Sequence, residues 1–186
     1  MSRIRVRHQI GVTALAIGAI ALPAVALAAS GSSAGHAAAA AAPQCRAAQL
    51  EIWYAPSGAA AGTAYYQLEL SNVSARTCTV YGFPGVSAVA GRQLGSPAQR
   101  NRAHPIDHVT LPPGATAHTV LQIADVWNFT PSQCKPATAT ALRVYPPDQL
   151  SAAEIPFSFR ACSAKGPIFL SVEPIQPGVG VPGYPS

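Results

Sequence analysis

The feature that most constrains the fold of this chain is a two-residue hydrophobic period that returns in short segments along most of its length. It is clearest in residues 66–71, 118–123 and 155–160, where apolar side chains occupy every second position. Side chains alternate between the two faces of a β-strand, so the period predicts strands with one buried and one wet face, with Glu69 on the wet face. Turns rich in proline and glycine separate the segments. The pattern predicts an all-β fold, an immunoglobulin-like antiparallel β-sandwich of seven to nine strands.

The first 28 residues have the features of an export signal. Three arginines, Arg3, Arg5 and Arg7, precede an apolar run over residues 10–27, and the run ends in small residues that suit cleavage after Ala28. We expect the processed protein to be secreted or associated with the outside of the cell envelope. The alternative is an uncleaved membrane anchor, because the apolar run is about as long as a short membrane span.

Composition divides the rest of the chain into three parts. Residues 29–43 form an Ala-, Ser- and Gly-rich linker, and residues 44–175 carry the strand pattern of the β-sandwich domain. Residues 176–186 form a Pro- and Gly-rich tail without periodicity, which predicts disorder. The net charge of +5 falls to +2 when the three signal arginines are removed. This balance gives no support for nucleic-acid binding, which uses clustered Lys and Arg.

Four cysteines follow the signal: Cys45, Cys78, Cys134 and Cys162. An even number in an exported chain predicts two disulfides. Three pairings are possible and the spacing does not choose between them; we favour Cys45–Cys78 with Cys134–Cys162, because each bridge then joins neighbouring strands. No two cysteines have the short spacing of a structural zinc site, and no cofactor is predicted.

The histidines are the one cluster of reactive side chains. His104, Asp107 and His108 are close in sequence, and a hairpin about residues 112–114 would bring His108 and His118 to one face. Imidazoles with a carboxylate can bind zinc or copper(II), so one alternative is a metal-binding envelope protein that uses His104, His108 and His118. A second alternative is a hydrolase that uses the His104/Asp107/His108 loop. The favoured interpretation is that these histidines are solvated and that the protein is not an enzyme.

Aromatic residues point to binding as the better functional class. Trp127 and Phe129 fall in a predicted loop with polar neighbours, where residues 125–129 can form a single helical turn. Exposed aromatic side chains stack on sugar rings or anchor a protein partner. Trp53 and Tyr66, by contrast, are expected to pack between the sheets. The sequence therefore predicts a ligand site at Trp127 and Phe129, with a cell-wall glycan or an envelope protein as the partner.

Turn residues around one cysteine form a recognisable motif. Residues 72–86 read N-x-S-x-x-x-C-x-V-x-G-x-P-G-V, and residues 111–114 read L-P-P-G. Both resemble the motifs of the domain of unknown function 4232, an exported domain common in actinobacteria. The resemblance covers residues 45–172 and implies a secreted or envelope-attached sandwich of unassigned activity, with no catalytic residues. In physical terms, Asn72 and Ser74 are turn formers whose side chains can bond nearby backbone, so this corner is interpreted as a structural staple.

Overall fold

The computed structural model describes residues 41–181, and this part of the chain is almost entirely β. Its strands are β1 (Leu50–Ala60), β2 (Thr63–Asn72), β3 (Cys78–Tyr81), β4 (Gly85–Ala90), β5 (Arg92–Leu94), β6 (Gln99–Arg100), β7 (His108–Leu111), β8 (Thr116–Ala124), β9 (Pro136–Tyr145), β10 (Ala153–Cys162), β11 (Leu170–Val172) and β12 (Gln176–Pro177). A 3₁₀ turn, Ala47–Gln49, precedes β1; a second one, Val126–Asn128, and one short helix, Pro131–Cys134, lie between β8 and β9. The predicted all-β fold is confirmed, whereas the immunoglobulin-like strand arrangement stays a prediction. The predicted signal peptide and most of the linker lie outside the described residues.

The strands form three sheets. A six-stranded sheet has the order β1-β2-β8-β11-β6, and β12 pairs with β8 beside it. A four-stranded sheet has the order β10-β9-β4-β5, and β3 pairs with β7 in a two-stranded sheet. The β6–β11 pair is parallel and the other pairs of strands are antiparallel. The strand number exceeds the predicted seven to nine because half of the strands have four residues or fewer, and so short a strand shows no period.

Two hydrophobic clusters hold the sheets together. The larger one joins the six-stranded and four-stranded sheets and includes Leu68, Leu121, Leu142 and Phe169, each at most 1% exposed. The smaller one joins the six-stranded sheet to the β3–β7 sheet around Leu70, Leu111, Ile175 and the first disulfide. Burial of each such leucine contributes about 1.5–3 kcal/mol, so these clusters supply most of the driving force for the fold.

Two disulfides fasten the domain near its start and near its end. Cys45 is bonded to Cys78 and Cys134 to Cys162, which confirms the sequential pairing. The first bridge joins the entering chain to β3, where the Cys45 N–H also donates to the Thr79 carbonyl at 2.8 Å. The second joins the short helix to the end of β10. With sequence separations of 33 and 28 between their cysteines, each bridge contributes about 3–4 kcal/mol on the chain-entropy account.

Two predictions about the outer face of the six-stranded sheet are wrong. Glu69, assigned to a wet face, is completely buried. Residues 176 and 177, the first two of the tail predicted to be disordered, instead form β12, which pairs with His118 and Ala117 of β8; residues 182–186 of that tail lie outside the described residues. We call residues 175–181 the C-terminal strap. Backbone hydrogen bonds to β8 hold the strap over Glu69. The sequence did not indicate this pairing, because a segment rich in proline and glycine has the composition of a disordered tail.

No helix within residues 41–181 is long and apolar enough to cross a membrane.

Candidate ligand-binding cleft

A cleft of about 530 Å³ opens beside Trp127. One wall is the tip of the β1–β2 hairpin, residues 59–64, and another is the end of β8 with the turn that follows, residues 123–127. Phe159 and Arg160 of β10 also line the cleft. Trp127 is 72% exposed. Of the two aromatic residues predicted to bind a ligand, the structure places Trp127 at the cleft, whereas Phe129 is half-buried and packs against the larger core cluster.

Hydrogen bonds fix the two walls of the cleft relative to each other. The Asp125 carboxylate caps the 3₁₀ turn by accepting the Trp127 N–H at 3.0 Å. The Gly62 carbonyl, at the hairpin tip, accepts the Asp125 N–H at 2.7 Å and the Asn128 side-chain amide at 2.9 Å. Gly62 has φ +72°, a conformation that favours glycine, and a β-carbon there would lie 2.8 Å from Asn128 Oδ1 and displace the Asn128 side chain. The cleft is thus built before any ligand arrives, which lowers the entropic cost of binding.

A row of half-buried aromatic rings leads into the cleft from the seam between the edge strands β1 and β10. The Phe157 ring lies 4.6 Å from Tyr54, 4.9 Å from Tyr66 and 5.0 Å from Phe159, measured between ring centroids. Tyr66 and Phe159 continue into the cleft wall. Tyr66 packs against the core as expected, but Trp53 lies on the opposite face of β1, where its indole N–H donates to Ser71 Oγ at 3.2 Å.

Two charged residues line the cleft, Asp125 and Arg160. One carboxylate oxygen of Asp125 is engaged by the backbone N–H of Trp127. Arg160 donates one hydrogen bond to Thr138 Oγ1 at 3.3 Å, and it has no ion pair with any acid in residues 41–181. Since a guanidinium group carries five N–H donors in a planar fork, Arg160 keeps most of its donors for a ligand.

The hairpin expected to join His108 and His118 does not form. His108 lies on β7, which pairs with β3, and its ring stacks on Tyr81 with the centroids 4.3 Å apart. His118 lies on β8, which pairs with β2, and its Nδ1 is 2.9 Å from the Gly178 carbonyl oxygen of the strap. The reason is Asn72, whose backbone bonds to the intervening turn and separates the two strands.

The loop residues proposed for hydrolysis are also not joined to one another. His104 Nε2 lies 3.3 Å from the Glu173 carboxylate. Asp107 is exposed and shares no hydrogen bond with His104 or His108. Within the part of the chain that the structure describes, no group of three His, Cys, Asp or Glu side chains is arranged to hold a metal ion.

The motif corner around Cys78 is organised by one buried amide. Asn72 is fully buried, and its Nδ2 donates to the carbonyls of Arg76 and Leu111, each at 2.8 Å. Its Oδ1 accepts the Ser74 N–H at 3.0 Å and the Ser74 hydroxyl at 2.7 Å. One side chain therefore joins the turn before β3 to the end of β7 by hydrogen bonds, in agreement with the structural role predicted for this corner.

One family model, described as a domain of unknown function, 4232, matches residues 45–176. No curated protein and no solved structure matches the chain significantly. The matched range includes both disulfides, the Asn72 corner and the whole lining of the cleft at Trp127. The chain belongs to the family of the domain of unknown function 4232.

Proposed function

We propose that this protein is a non-catalytic binding module that works outside the cytoplasm and holds a carboxylate-bearing glycan in the cleft beside Trp127. The observation that carries the proposal is an exposed tryptophan and an arginine without an ion pair on the walls of one preformed cleft. Two disulfides favour an oxidising compartment, and the predicted export signal agrees with that location.

The shape and chemistry of the walls suit a sugar ring. The indole of Trp127 offers a flat apolar surface on which the C–H face of a pyranose can stack, while alanines 59–61 leave room beside it. Polar groups needed for the sugar hydroxyls come from Thr63, Asp125 and Arg160 on the same walls. Since large exposed apolar side chains mark interaction sites when they line a cleft, Trp127 is the expected anchor.

Arg160 supports an acidic rather than a neutral glycan. A planar guanidinium binds a carboxylate through two parallel hydrogen bonds, which a neutral hydroxyl or ester cannot reproduce. The same lining supports binding without hydrolysis. Among the described residues, Asp125 is the single carboxylate that lines the cleft, whereas glycosidic-bond hydrolysis generally uses two.

Calorimetric titration of the purified protein tests the proposal with two probes, tetragalacturonate and its fully methyl-esterified form. We expect the acid to bind about 10- to 150-fold more tightly than the ester, since a charge-assisted hydrogen bond is worth about 1.5–3 kcal/mol. Trp127→Ala should weaken both probes about tenfold or more. Arg160→Gln should remove the preference for the acid and leave the ester unchanged.

Tyr81→Ala provides the matched control, because Tyr81 is an exposed aromatic residue on β3 outside the cleft. This variant should bind both probes like the unaltered protein. The proposal is wrong if neither probe binds, or if Trp127→Ala binds as tightly as the unaltered protein.

A further inference from the structure

The C-terminal strap covers a buried carboxyl group on the outer face of the six-stranded sheet. Glu69 is 0% exposed, and its Oε1 accepts the Gly180 N–H at 2.9 Å. The strap reaches this point through the β12–β8 pairing and through the contact between His118 Nδ1 and the Gly178 carbonyl at 2.9 Å. Packing is close, since a β-carbon at Gly180 would lie 2.6 Å from Gln67 Oε1 and from the His118 ring. Glu69 therefore forms part of the surface on which the strap docks.

Two buried oxygen atoms beneath the strap accept no hydrogen bond of good geometry from any group in residues 41–181. They are Glu69 Oε2 and Gln67 Oε1. The two residues lie on the same face of β2, and both contact the segment at Gly180. Buried acceptors are almost always paired. A proton on Glu69 Oε2 turns that oxygen into a donor, which the oxygen of the Gln67 amide can accept. If the Gln67 amide is reversed, its N–H group donates to an ionised Glu69 instead, and the two arrangements predict opposite dependences on pH.

We propose that Glu69 is an uncharged carboxylic acid while the strap is docked, that its Oε2 hydroxyl donates to Gln67 Oε1, and that the strap is consequently held more tightly in acid than at neutral pH. The proton comes from solvent and returns to it when the strap leaves. In support, burial raises the pKa of Glu69 above the usual 4.5, and this outweighs the opposing effects of the Gly180 N–H, the His118 charge and the Val181 N–H.

The elements around Glu69 bring further ionisable groups. Tyr65 and Glu173 line the same cavity as Gln67 and Gly180, and the Glu173 carboxylate is paired with His104 at 3.3 Å and with Gln122 at 2.9 Å. Glu69 is paired in register with His118 of β8 on one side and with Trp53 of β1 on the other. The strap itself presents backbone amides from Gly180 and Val181. An imidazolium at His118 would favour the carboxylate, so a charged His118–Glu69 pair would produce the opposite dependence on pH.

The direction of the pH effect follows from linkage. Because docking raises the pKa of Glu69 above 4.5, the docked state binds the proton more tightly than the released state. The added stability is complete below the released-state pKa and is lost as the pH rises through the docked-state pKa. Protection of the strap should change by up to about tenfold per pH unit within that window.

Hydrogen exchange of the strap amides (residues 176 and 178–181) in the full chain tests the proposal, with rates corrected for intrinsic exchange at each pH between 4.5 and 7.5. Protection should rise as the pH falls. Glu69→Gln should keep the strap protected and remove the dependence on pH, because the amide has an acceptor for the Gly180 N–H and a donor for Gln67. Glu51→Gln, an exposed carboxylate on β1, is the control and should leave the dependence unchanged.

Two results would overturn the proposal: protection that falls on acidification, or a Glu69→Gln variant that retains the pH dependence. A second measurement needs no variant and so avoids any fault in folding. The midpoint of a pH titration followed by the ¹³C chemical shift of the Glu69 carboxyl should lie above the ordinary pKa of 4.5, and a midpoint at or below 4.5 would refute the proposal.

Discussion

Asn72→Ala offers the sharpest test of how the corner around the first disulfide is stabilised. The Asn72 side chain is buried and takes part in four hydrogen bonds, two as a donor and two as an acceptor. Alanine removes all four. The bond to the Leu111 carbonyl is completely buried, so that oxygen loses its donor where water cannot replace it. The other three lie nearer the surface, where water can compensate in part.

The expected loss follows from these burials. A buried acceptor left without a partner costs about 1–3 kcal/mol, and each partly solvated bond contributes about 0.5–1 kcal/mol. Together they predict a decrease of about 2.5–6 kcal/mol in the free energy of unfolding. For a domain of this size that corresponds to a decrease of about 10–20 °C in Tm.

Urea denaturation and differential scanning calorimetry, both on the oxidised protein, measure this loss. Asn101→Ala is the matched control, since the Asn101 side chain makes no hydrogen bond within residues 41–181; it should change stability by less than about 0.5 kcal/mol. Asn72→Asp keeps the shape but turns an oxygen toward the Arg76 and Leu111 carbonyls, so it should destabilise more than alanine does. A loss below 1 kcal/mol for Asn72→Ala would refute the reasoning.

Two further predictions concern the disulfide near the end of the domain and the core. Replacing Cys134 and Cys162 together by alanine should lower the free energy of unfolding by about 3–4 kcal/mol in urea titrations, because the unfolded chain regains the freedom of the closed loop; an unchanged midpoint would contradict this. Leu68→Ala should cost about 3–4 kcal/mol, since Leu68 is fully buried between the large sheets. Leu150→Ala, at a leucine 97% exposed, should cost almost nothing, and equal losses at the two sites would contradict the assigned core.

Local patterns in the sequence were sufficient to predict three of the long strands, β2, β8 and β10. In β8, burial alternates with the predicted period, and Ala117, Thr119, Leu121 and Ile123 all face inward. The single turn predicted near Trp127 is also present. These features depend on neighbours two to four residues apart, which a sequence displays directly.

Features that depend on distant partners could not be predicted in the same way. Glu69 has the polar character of a wet position, and only the strap, more than a hundred residues later, buries it. The turn before β8 has hairpin composition, but Asn72 bonds to its backbone and directs β7 to another sheet. The sequence around Glu69 does not indicate the strap, and the sequence of the turn does not indicate its bonds to Asn72.

Only the part of the cleft that depends on neighbouring residues could be predicted from the sequence. Trp127 stood out from the sequence because an aromatic residue among polar ones indicates an exposed loop. Arg160 and the hairpin tip come from strands distant in sequence, and only sheet packing brings them to Trp127. Gly62 was the one available signal, as a glycine at the reversal between two strands.

The most direct test of the proposed binding site is a ¹⁵N NMR titration of the protein with tetragalacturonate, which follows the two indole N–H signals. Trp127 lines the cleft, whereas Trp53 lies on the far face of β1 bonded to Ser71 and serves as an internal control. We expect saturable shifts of the Trp127 indole and of backbone amides in residues 59–64 and 123–127, with the Trp53 indole unmoved. Shifts at Trp53 or elsewhere with Trp127 unmoved, or no saturable shift at all, would contradict the account.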